Sequence, residues 1–241
     1  MPADAMQKPV LTTAARSWIG LGIILLWEFS GSDRWVMNAL AGSDGFAMQN
    51  NLWLRVALHD GLRRASTMAY ILLILAIWKP RGFLRAATRR QHLEMLVGVT
   101  ASLLVVSTIK HFSLTSCPWD LAQFGGVAQS VSHWAWGLDD GGPGRCFPSG
   151  HAAAGFAFFP VALPFLSASS ASMRKHGRTV FYAVLVFGLV CGAAQILRGA
   201  HFPSHVLWTG LVCWMVAVIN SRMFEHAGKL RTGTVSRGAA E

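Results

Sequence analysis

The sequence is short of charged side chains, which make up 13% of its 241 residues. Soluble domains carry about 25% charged residues, so a chain this poor in charge has much surface that does not meet water. Tyrosine is also scarce, with 2 residues against 10 tryptophans, while hydrophobic residues make up 53% of the chain. Tryptophan favours the headgroup layer of a bilayer. The composition therefore indicates a membrane protein.

Acidic residues are scarce as well, with 11 Asp and Glu against 21 Lys and Arg and a formal net charge of +10. Such a chain can bind nucleic acid, be attracted to anionic lipid, or follow the positive-inside rule of polytopic membrane proteins. Long apolar runs exclude a soluble nucleic-acid binder, and the placement of the basic residues favours the third explanation. We therefore expect no nucleic-acid partner.

A cleavable signal peptide is not evident, because the first apolar run ends at Trp27, Glu28 and Phe29 without the small residues of a cleavage site. We interpret this run as a first transmembrane helix. A bilayer core needs about 20 helical residues. Six stretches reach or approach that length: 11–30, 62–78, 93–112, 149–169, 180–197 and 205–223. The sequence thus predicts one all-α, polytopic membrane domain, residues 1–241, with six transmembrane helices.

The positive-inside rule gives these predicted spans an orientation. Basic residues gather between the second and third spans, between the fourth and fifth, and in the tail: Lys79, Arg81, Arg85, Arg89, Arg90, Arg174, Lys175, Arg178, Arg222, Lys229, Arg231 and Arg237. We expect these segments and the N-terminus on the cytoplasmic side. If the chain is bacterial, this places it in the inner membrane with both termini cytoplasmic. The polar segment 32–60 is expected as an interfacial stretch on the outer surface.

Ionisable and polar groups mark the non-cytoplasmic ends of the predicted third to sixth spans. Lys110 closes the third span, Ser149, Gly150 and His151 open the fourth, and Arg198, His201 and His205 lie where the fifth gives way to the sixth. Ionisable residues at membrane depth are costly and are usually functional. The sequence therefore predicts an active site at the non-cytoplasmic ends of these four helices, facing the periplasm in a bacterium.

These groups together suit a phosphate. Pro148 in the first helical turn would set the start of the fourth span, and the free amides of Ser149, Gly150 and His151 would then form an anion site. Lys110 and Arg198 add fixed positive charge. Two nearby histidines supply a nucleophile and a proton donor, since an unperturbed imidazole titrates near neutral pH.

Three short motifs follow one another along the chain: Lys110 with Cys117-Pro118 after six residues, Pro148-Ser149-Gly150-His151, and His201-Phe202-Pro203-Ser204-His205. In their order and their placement at helix ends, they resemble the motifs of the type-2 phosphatidic acid phosphatase superfamily. The resemblance covers roughly residues 110–210, and the predicted helix count extends it to the whole chain. It implies a membrane-embedded lipid phosphatase that uses no metal or other cofactor.

The resemblance also implies a role for each matching residue. His201 matches the nucleophile that takes the phosphoryl group as a phosphohistidine, and His151 matches the general acid that protonates the leaving oxygen. Lys110, Ser149 and the Gly150 amide match the phosphate cradle. The lack of a carboxylate-rich cluster at these motifs agrees with a reaction that needs no metal.

Three positions depart from the family's pattern. Cys117 and Gln195 stand where the first and third motifs usually have Arg, and His205 stands where the third usually has Asp. Arg198 and Arg145 are candidates to replace the lost positive charge. His205 is a candidate to hold the nucleophile in one tautomer through a ring nitrogen. The chain thus resembles a divergent branch, similar to bacterial lipid phosphatases and phosphotransferases that act on lipid A or polyprenyl diphosphates.

Four cysteines divide into two pairs. Cys117 and Cys146 both fall in the outer loop between the third and fourth spans, whereas Cys191 and Cys213 fall within spans and are expected as buried thiols. In an oxidising periplasm a bridge between the first two would persist. It would close a loop of about thirty residues and contribute roughly 3–4 kcal/mol in the chain-entropy model. Two free thiols are the alternative.

Other interpretations of the same residues stay open. His201 and His205 have the spacing of a zinc pair, with His151, His111 or His133 as a third ligand. The same fold would also suit a phosphotransferase that moves phosphate from a polyprenyl diphosphate to lipid A. A non-catalytic binder or carrier of anionic lipid is the alternative from another class.

Overall fold

The chain is mostly helical. The computed structural model describes the backbone of residues 4–238 and the side chains of residues 13–230, so the side chains of Arg231 and Arg237 lie outside the described residues. Its α-helices are α1 (Asp4–Phe29), α2 (Ser32–Leu40), α3 (Leu62–Ala76), α4 (Arg89–Phe112), α5 (Gly150–Phe156), α6 (Phe159–Leu166), α7 (Ala171–Leu197) and α8 (Pro203–Gly238). A short hairpin, β1 (Ala41–Gly42) with β2 (Gly45–Phe46), follows α2. A π-helical segment, Leu54–Gly61, runs directly into α3.

Each predicted span overlaps a helix, but the helices differ in their suitability for a membrane. Among the described residues, three are long and apolar enough to cross one: α4, α7 and the part of α8 over Pro203–Leu230. The stretch Gly150–Leu166, which contains α5 and α6, is apolar but shorter. These findings agree with an integral membrane protein. The count of six spans and their orientation stay predictions.

The predicted fourth span is broken into two helices. α5 ends at Phe156, and Pro160, which has no backbone N–H, lies in the first turn of α6. Close approach to α7 holds α5 in place, because a Cβ on Gly155 would lie only 2.5 Å from Gly188 Cα. Small residues of this kind allow helix backbones to pack closely where lipid offers no hydrophobic driving force.

The main cluster of buried apolar side chains surrounds α5 and α6. It includes Met95 of α4, Phe156 of α5, Phe165 of α6 and Trp214 of α8. Phe165 and Met95 are fully buried. The two short helices are therefore enclosed by the three long ones, and the first residue of α5 is held at one end of the bundle.

The segment 32–60 forms packed structure rather than one uniform interfacial stretch. Met37 of α2 and Phe46 of the hairpin join a second buried cluster with Leu121, Phe124 and Ala128 from the loop after α4. Trp35 and Trp53 of the same segment remain exposed. The segment thus covers one end of the bundle with its buried side chains.

A carboxylate from this segment holds the start of α8. Asp33 Oδ1 accepts hydrogen bonds from the Ser204 amide at 2.9 Å and from Trp27 Nε1 at 2.8 Å. Asp33 Oδ2 accepts a further hydrogen bond from the Ser204 hydroxyl. A carboxylate at the first turn satisfies amides that have no partner within the helix and also suits the helix dipole. Asp33 therefore ties α1, α2 and α8 together.

Candidate active site

Residues from three separate parts of the chain meet at one end of the bundle. The ring centroids of His151, in the first turn of α5, and His201, in the loop before α8, lie 6.4 Å apart. Lys110, near the end of α4, passes over the start of α5, since a Cβ on Gly150 would lie 3.6 Å from Lys110 Cδ. The structure therefore brings Lys110, Gly150, His151 and His201 together.

His201 is buried, with 3% of its surface exposed. Its Nδ1 lies 3.4 Å from Cys146 Sγ. A disulfide sulfur carries no hydrogen, so in this contact Nδ1 is the donor and Nε2 keeps its lone pair. Burial, together with the charge of Lys110, holds the pKa of His201 well below its ordinary value. The imidazole is therefore neutral at neutral pH, which is the form that a nucleophile needs.

Cys117 and Cys146 form a disulfide across 29 residues, with their Cα atoms 5.1 Å apart. This is the pair that the sequence favours over two free thiols. The bridge connects the loop after α4 to the residue just before the cis Phe147–Pro148 peptide bond. Cys191 and Cys213 are buried free thiols, in agreement with their predicted positions within spans.

The metal-ligand geometry differs from the zinc set considered from the sequence. Among the described residues, ligand atoms of Cys117, Cys146 and His201 lie within 4.8 Å of one another. The two sulfurs are bonded to each other, however, and zinc binds thiolates. As long as the disulfide is intact, these three residues do not form a zinc site.

The start of α5 differs from the prediction in two ways. Pro148 precedes the N-cap, Ser149, instead of lying in the first turn, and the Ser149 hydroxyl caps the helix by accepting from the Ala152 amide at 3.4 Å. The expectation that the Ser149 amide faces a phosphate is wrong, because this amide donates to Thr209 Oγ1 of α8 at 2.8 Å. Within the described part of the chain, the amides of Gly150 and His151 have no hydrogen-bond acceptor.

His205 lies close to His201, but no described hydrogen bond joins the two rings. Its Nδ1 lies 3.1 Å from the Cys146 carbonyl, which can only accept, so Nδ1 carries the hydrogen. His205 Nε2 is buried and has no hydrogen-bond partner among the described atoms. The ring centroids of His201 and His205 are 6.0 Å apart, with no hydrogen bond described between them. Cys146 instead faces both imidazoles, one through its sulfur and the other through its carbonyl.

Arg198 is fixed beside the site by three contacts. Its Nε donates to the Gln49 carbonyl at 3.0 Å, and its Nη1 donates to Gln195 Oε1 at 3.2 Å. The guanidinium carbon also lies 5.6 Å from the centre of the Trp119 ring, a cation–π distance. The family usually has Arg at the position of Gln195. Here Gln195 instead holds Arg198, which lies three residues further along the chain.

Arg145 contributes its backbone to the site. Its carbonyl accepts a hydrogen bond from Lys110 Nζ, and its amide donates to the Ser113 carbonyl at 2.8 Å. The side chain is exposed, and no described contact brings its guanidinium to the histidines. Arg145 thus orients the Lys110 ammonium, whereas its predicted role as a replacement positive charge has no supporting contact.

Two residues that the sequence did not single out also reach the site. The His59 ring centroid lies 4.1 Å from that of His151, and His59 Nδ1 donates to Asp60 Oδ1 at 2.7 Å. Arg63 lines a cavity of about 370 Å³ together with His59 and His151. Arg55, His59 and Arg63 are spaced four residues apart, which places them on one helical face. This four-residue spacing is the signal in the sequence that could have identified His59 and Arg63 as site residues. The predicted second span, however, began at residue 62, after His59.

A sequence model of the PAP2 superfamily matches residues 91–229, more than half of the chain. This is the superfamily that the three motifs resemble, and the match contains Lys110, His151 and His201. No curated protein matches the chain, and no solved structure matches it. The segment from α1 to α3, which supplies His59 and Arg63, lies outside the match.

Proposed function

Since the chain belongs to the PAP2 superfamily, whose members are generally phosphatases, we propose that it hydrolyses a headgroup phosphate of a membrane lipid without a metal ion. The observation that carries this proposal is the meeting of His201, His151 and Lys110 at one end of the bundle, beside the start of α5. A separation of 6.4 Å between the two imidazole centroids suits one phosphoryl group between them.

In the proposed reaction, His201 Nε2 attacks the phosphorus in line with the leaving oxygen. The bond between phosphorus and that oxygen breaks, and His151 gives its proton to the departing oxygen. Water then attacks the phosphohistidine, His151 takes the proton of that water, and inorganic phosphate leaves. The chain returns to its starting state.

Fixed positive charge stabilises the negative charge that develops on the phosphoryl oxygens in the transition state. Lys110, held by the Arg145 carbonyl, and the amides of Gly150 and His151 form the proposed cradle. Arg198, held on Gln195, adds a guanidinium. Groups that are already oriented before the reaction are usually the largest single contribution to the stabilisation of a transition state.

The proposed location is a bacterial inner membrane, with both termini cytoplasmic and the active site facing the periplasm. Support comes from the basic residues of the links between predicted spans and of the tail, which the positive-inside rule assigns to the cytoplasm. The Cys117–Cys146 disulfide supports the same orientation, because disulfides persist in the periplasm and are rare in the cytosol.

A substrate panel in detergent tests the proposal. We expect purified protein to release phosphate from at least one of phosphatidic acid, phosphatidylglycerol phosphate, undecaprenyl diphosphate and lipid A. Vanadate should inhibit the release, and a chelator should not.

His201→Ala should lower kcat by about a thousandfold or more, since it removes the nucleophile. His111→Ala, at an exposed histidine at the end of α4, is the matched control and should keep wild-type activity.

Phosphate release at the wild-type rate by His201→Ala would contradict the scheme. A labelled polyprenyl diphosphate separates the two possible acceptors. Free labelled phosphate identifies a hydrolase, and labelled lipid A identifies a transferase that uses the same phosphohistidine. Binding without turnover of any of these lipids would identify a non-catalytic binder or carrier.

A further inference from the structure

His151 has a second imidazole against its ring. His59 lies with its ring centroid 4.1 Å from that of His151, and the two planes are inclined by 39°. His59 Nδ1 is bonded to Asp60 Oδ1 at 2.7 Å. No described residue forms a hydrogen bond with His59 Nε2, so this nitrogen is open to a ligand. When the ring carries a hydrogen on both nitrogens, Nε2 can donate to an anion while Nδ1 stays on Asp60.

The guanidinium of Arg63 lies at the same cavity as His59 and His151. Arg63, one turn after His59, lines the same cavity of about 370 Å³ as Gly150 and His151. Its side chain is exposed, and within the described part of the chain it has no ion-pair or hydrogen-bond partner. An imidazole and a guanidinium therefore face the cavity next to His151, and none of the described residues that line it is acidic.

The rest of the cavity wall is largely apolar, and includes Leu62, Leu103, Ala154 and Phe158. Polar hydroxyls from Ser66 and Tyr70 are already engaged, the first with the Ala154 carbonyl and the second with Thr100. The cavity thus combines a basic end at His59 and Arg63 with walls suited to a hydrocarbon chain.

The chemistry of the leaving group connects these observations. His151 gives its proton to the oxygen that leaves phosphorus, so the leaving group meets His59 and Arg63 next. A lipid alcohol that has taken this proton is neutral and gains little from the Arg63 guanidinium. A lipid phosphate keeps negative charge, so it can accept hydrogen bonds from the Arg63 guanidinium and from an N–H at His59 Nε2.

We propose that His59 and Arg63 form a subsite for the second phosphate of a diphosphate-headed lipid. The inference rests on the proposed function, since it takes His201 as nucleophile and His151 as acid. His201 Nε2 bonds to the terminal phosphorus, the bond to the bridging oxygen breaks, and this oxygen receives the proton of His151. The lipid monophosphate remains on His59 and Arg63, and water later releases the terminal phosphate from His201.

The test compares two substrates with the same chain, farnesyl diphosphate and farnesyl phosphate, on Arg63→Gln. We expect kcat/KM for the diphosphate to fall by about tenfold to a hundredfold, the range of one or two charge-assisted hydrogen bonds. The monophosphate should change by less than about threefold, because it lacks the group that Arg63 binds. Arg64→Gln, at an exposed neighbour that does not line the cavity, is the matched control and should change neither value.

His59→Phe is a second variant that keeps a ring against His151 and removes both nitrogens. It should also lower kcat/KM for the diphosphate selectively, by about fivefold to tenfold, with an unchanged thermal unfolding temperature. An equal loss on both substrates in Arg63→Gln and His59→Phe would overturn the subsite and leave the proposed function intact.

A binding measurement separates the two proposals. Calorimetry with methylenediphosphonate and with phosphate uses ligands that need no turnover. The wild-type protein should bind the diphosphonate more tightly, and Arg63→Gln should remove that difference. If no phosphate is released from the farnesyl substrates or from any lipid of the panel above, the proposed function fails, while a diphosphonate preference that depends on Arg63 still supports the subsite. Equal affinity of the wild type for both ligands overturns it.

Discussion

The bundle from α4 to α8 and the segment from α2 to α3 approach the same cavity with different contributions. The bundle supplies Lys110, His151 and His201 and falls within the family match. The segment supplies His59 and Arg63 and lies outside it. In our two proposals, the phosphoryl-transfer reaction of the bundle is combined with a separate element that meets the leaving group. We expect substrate preference to reside in this element.

The two regions also differ in how firmly they are held. In the bundle, three features fix the proposed catalytic residues: a disulfide, the bond from the Ser149 amide to Thr209, and the close contact of Gly155 with Gly188. The π-helical segment Leu54–Gly61 contains no fully buried residue. Elements with few buried contacts open more readily than core elements. The bundle therefore provides fixed geometry, while the segment can adjust to a headgroup.

The largest expected effect comes from breaking the fixed region. The double variant Cys117→Ser, Cys146→Ser removes a cross-link worth roughly 3–4 kcal/mol in the chain-entropy model. It also removes the sulfur that faces Nδ1 of His201. We expect thermal unfolding in detergent to move down by roughly 10 °C, with a lower kcat.

Cys213→Ala is the control for this variant, because it removes a buried thiol that forms no disulfide. It should lower the unfolding temperature by much less than the double variant. A double variant that unfolds at the wild-type temperature would show that the bundle does not depend on the cross-link.

An intermediate effect is expected where the two regions are joined. Asp33→Ala removes the acceptor for the Ser204 amide and hydroxyl and for Trp27 Nε1. Hydrogen bonds to a charged acceptor contribute about 2 kcal/mol, so unfolding should move down by roughly 4–8 °C. Asp44→Ala, at an exposed carboxylate of the hairpin turn, should leave the unfolding temperature unchanged. Equal values for both variants would mean that α2 does not support α8.

The smallest effect is a pH dependence in the loop that covers the bundle. Burial lowers the pKa of His133 to about 4, and the charge of Asp33 offsets this only in part. Below pH 6.5 the unfolded chain takes up a proton on this residue, while the folded chain does not do so until about pH 4. The stability from neutral His133 is therefore present above pH 6.5 and is lost progressively between pH 6.5 and 4.

The variant His133→Phe keeps the ring stack on Phe147, whose centroid lies 4.3 Å away, and removes the titration. Between pH 6.5 and 5.5 the wild type should lose about 1 kcal/mol more than this variant. Unfolding followed by tryptophan fluorescence at the two pH values measures the difference. Parallel pH profiles would show that His133 binds its proton equally well in both states, against the expected effect of its burial.

Much of the candidate site could be predicted from the sequence, because helix ends can be placed from apolar runs. Lys110, His151 and His201 each lie at such an end, and the chain connectivity then brings them to one face. Their meeting depends on topology and not on side-chain detail. Cys117 and Cys146 were accessible for the same reason, since both belong to one loop.

The remaining parts of the candidate site depend on long-range contacts that no local sequence pattern indicates. The Ser149 amide is taken by Thr209, sixty residues away, because α5 and α8 pack side by side. His205 turns to the Cys146 carbonyl rather than to His201 because of the path of the loop before α5. His59 was missed because apolar periodicity begins only after the π-helical segment that carries it.

Two adjacent residues, Arg145 and Cys146, contact groups from two helices, α4 and α8, and from the loop before α8. The Arg145 carbonyl holds the ammonium of Lys110, and Cys146 meets the imidazoles of His201 and His205. A single inserted residue here would shift the cation and both rings at once. Residues 135–138 form the exposed tip of the same loop, and no described hydrogen bond joins them to these groups. Variation in loop length is therefore tolerated far better at the tip than in the six residues before α5.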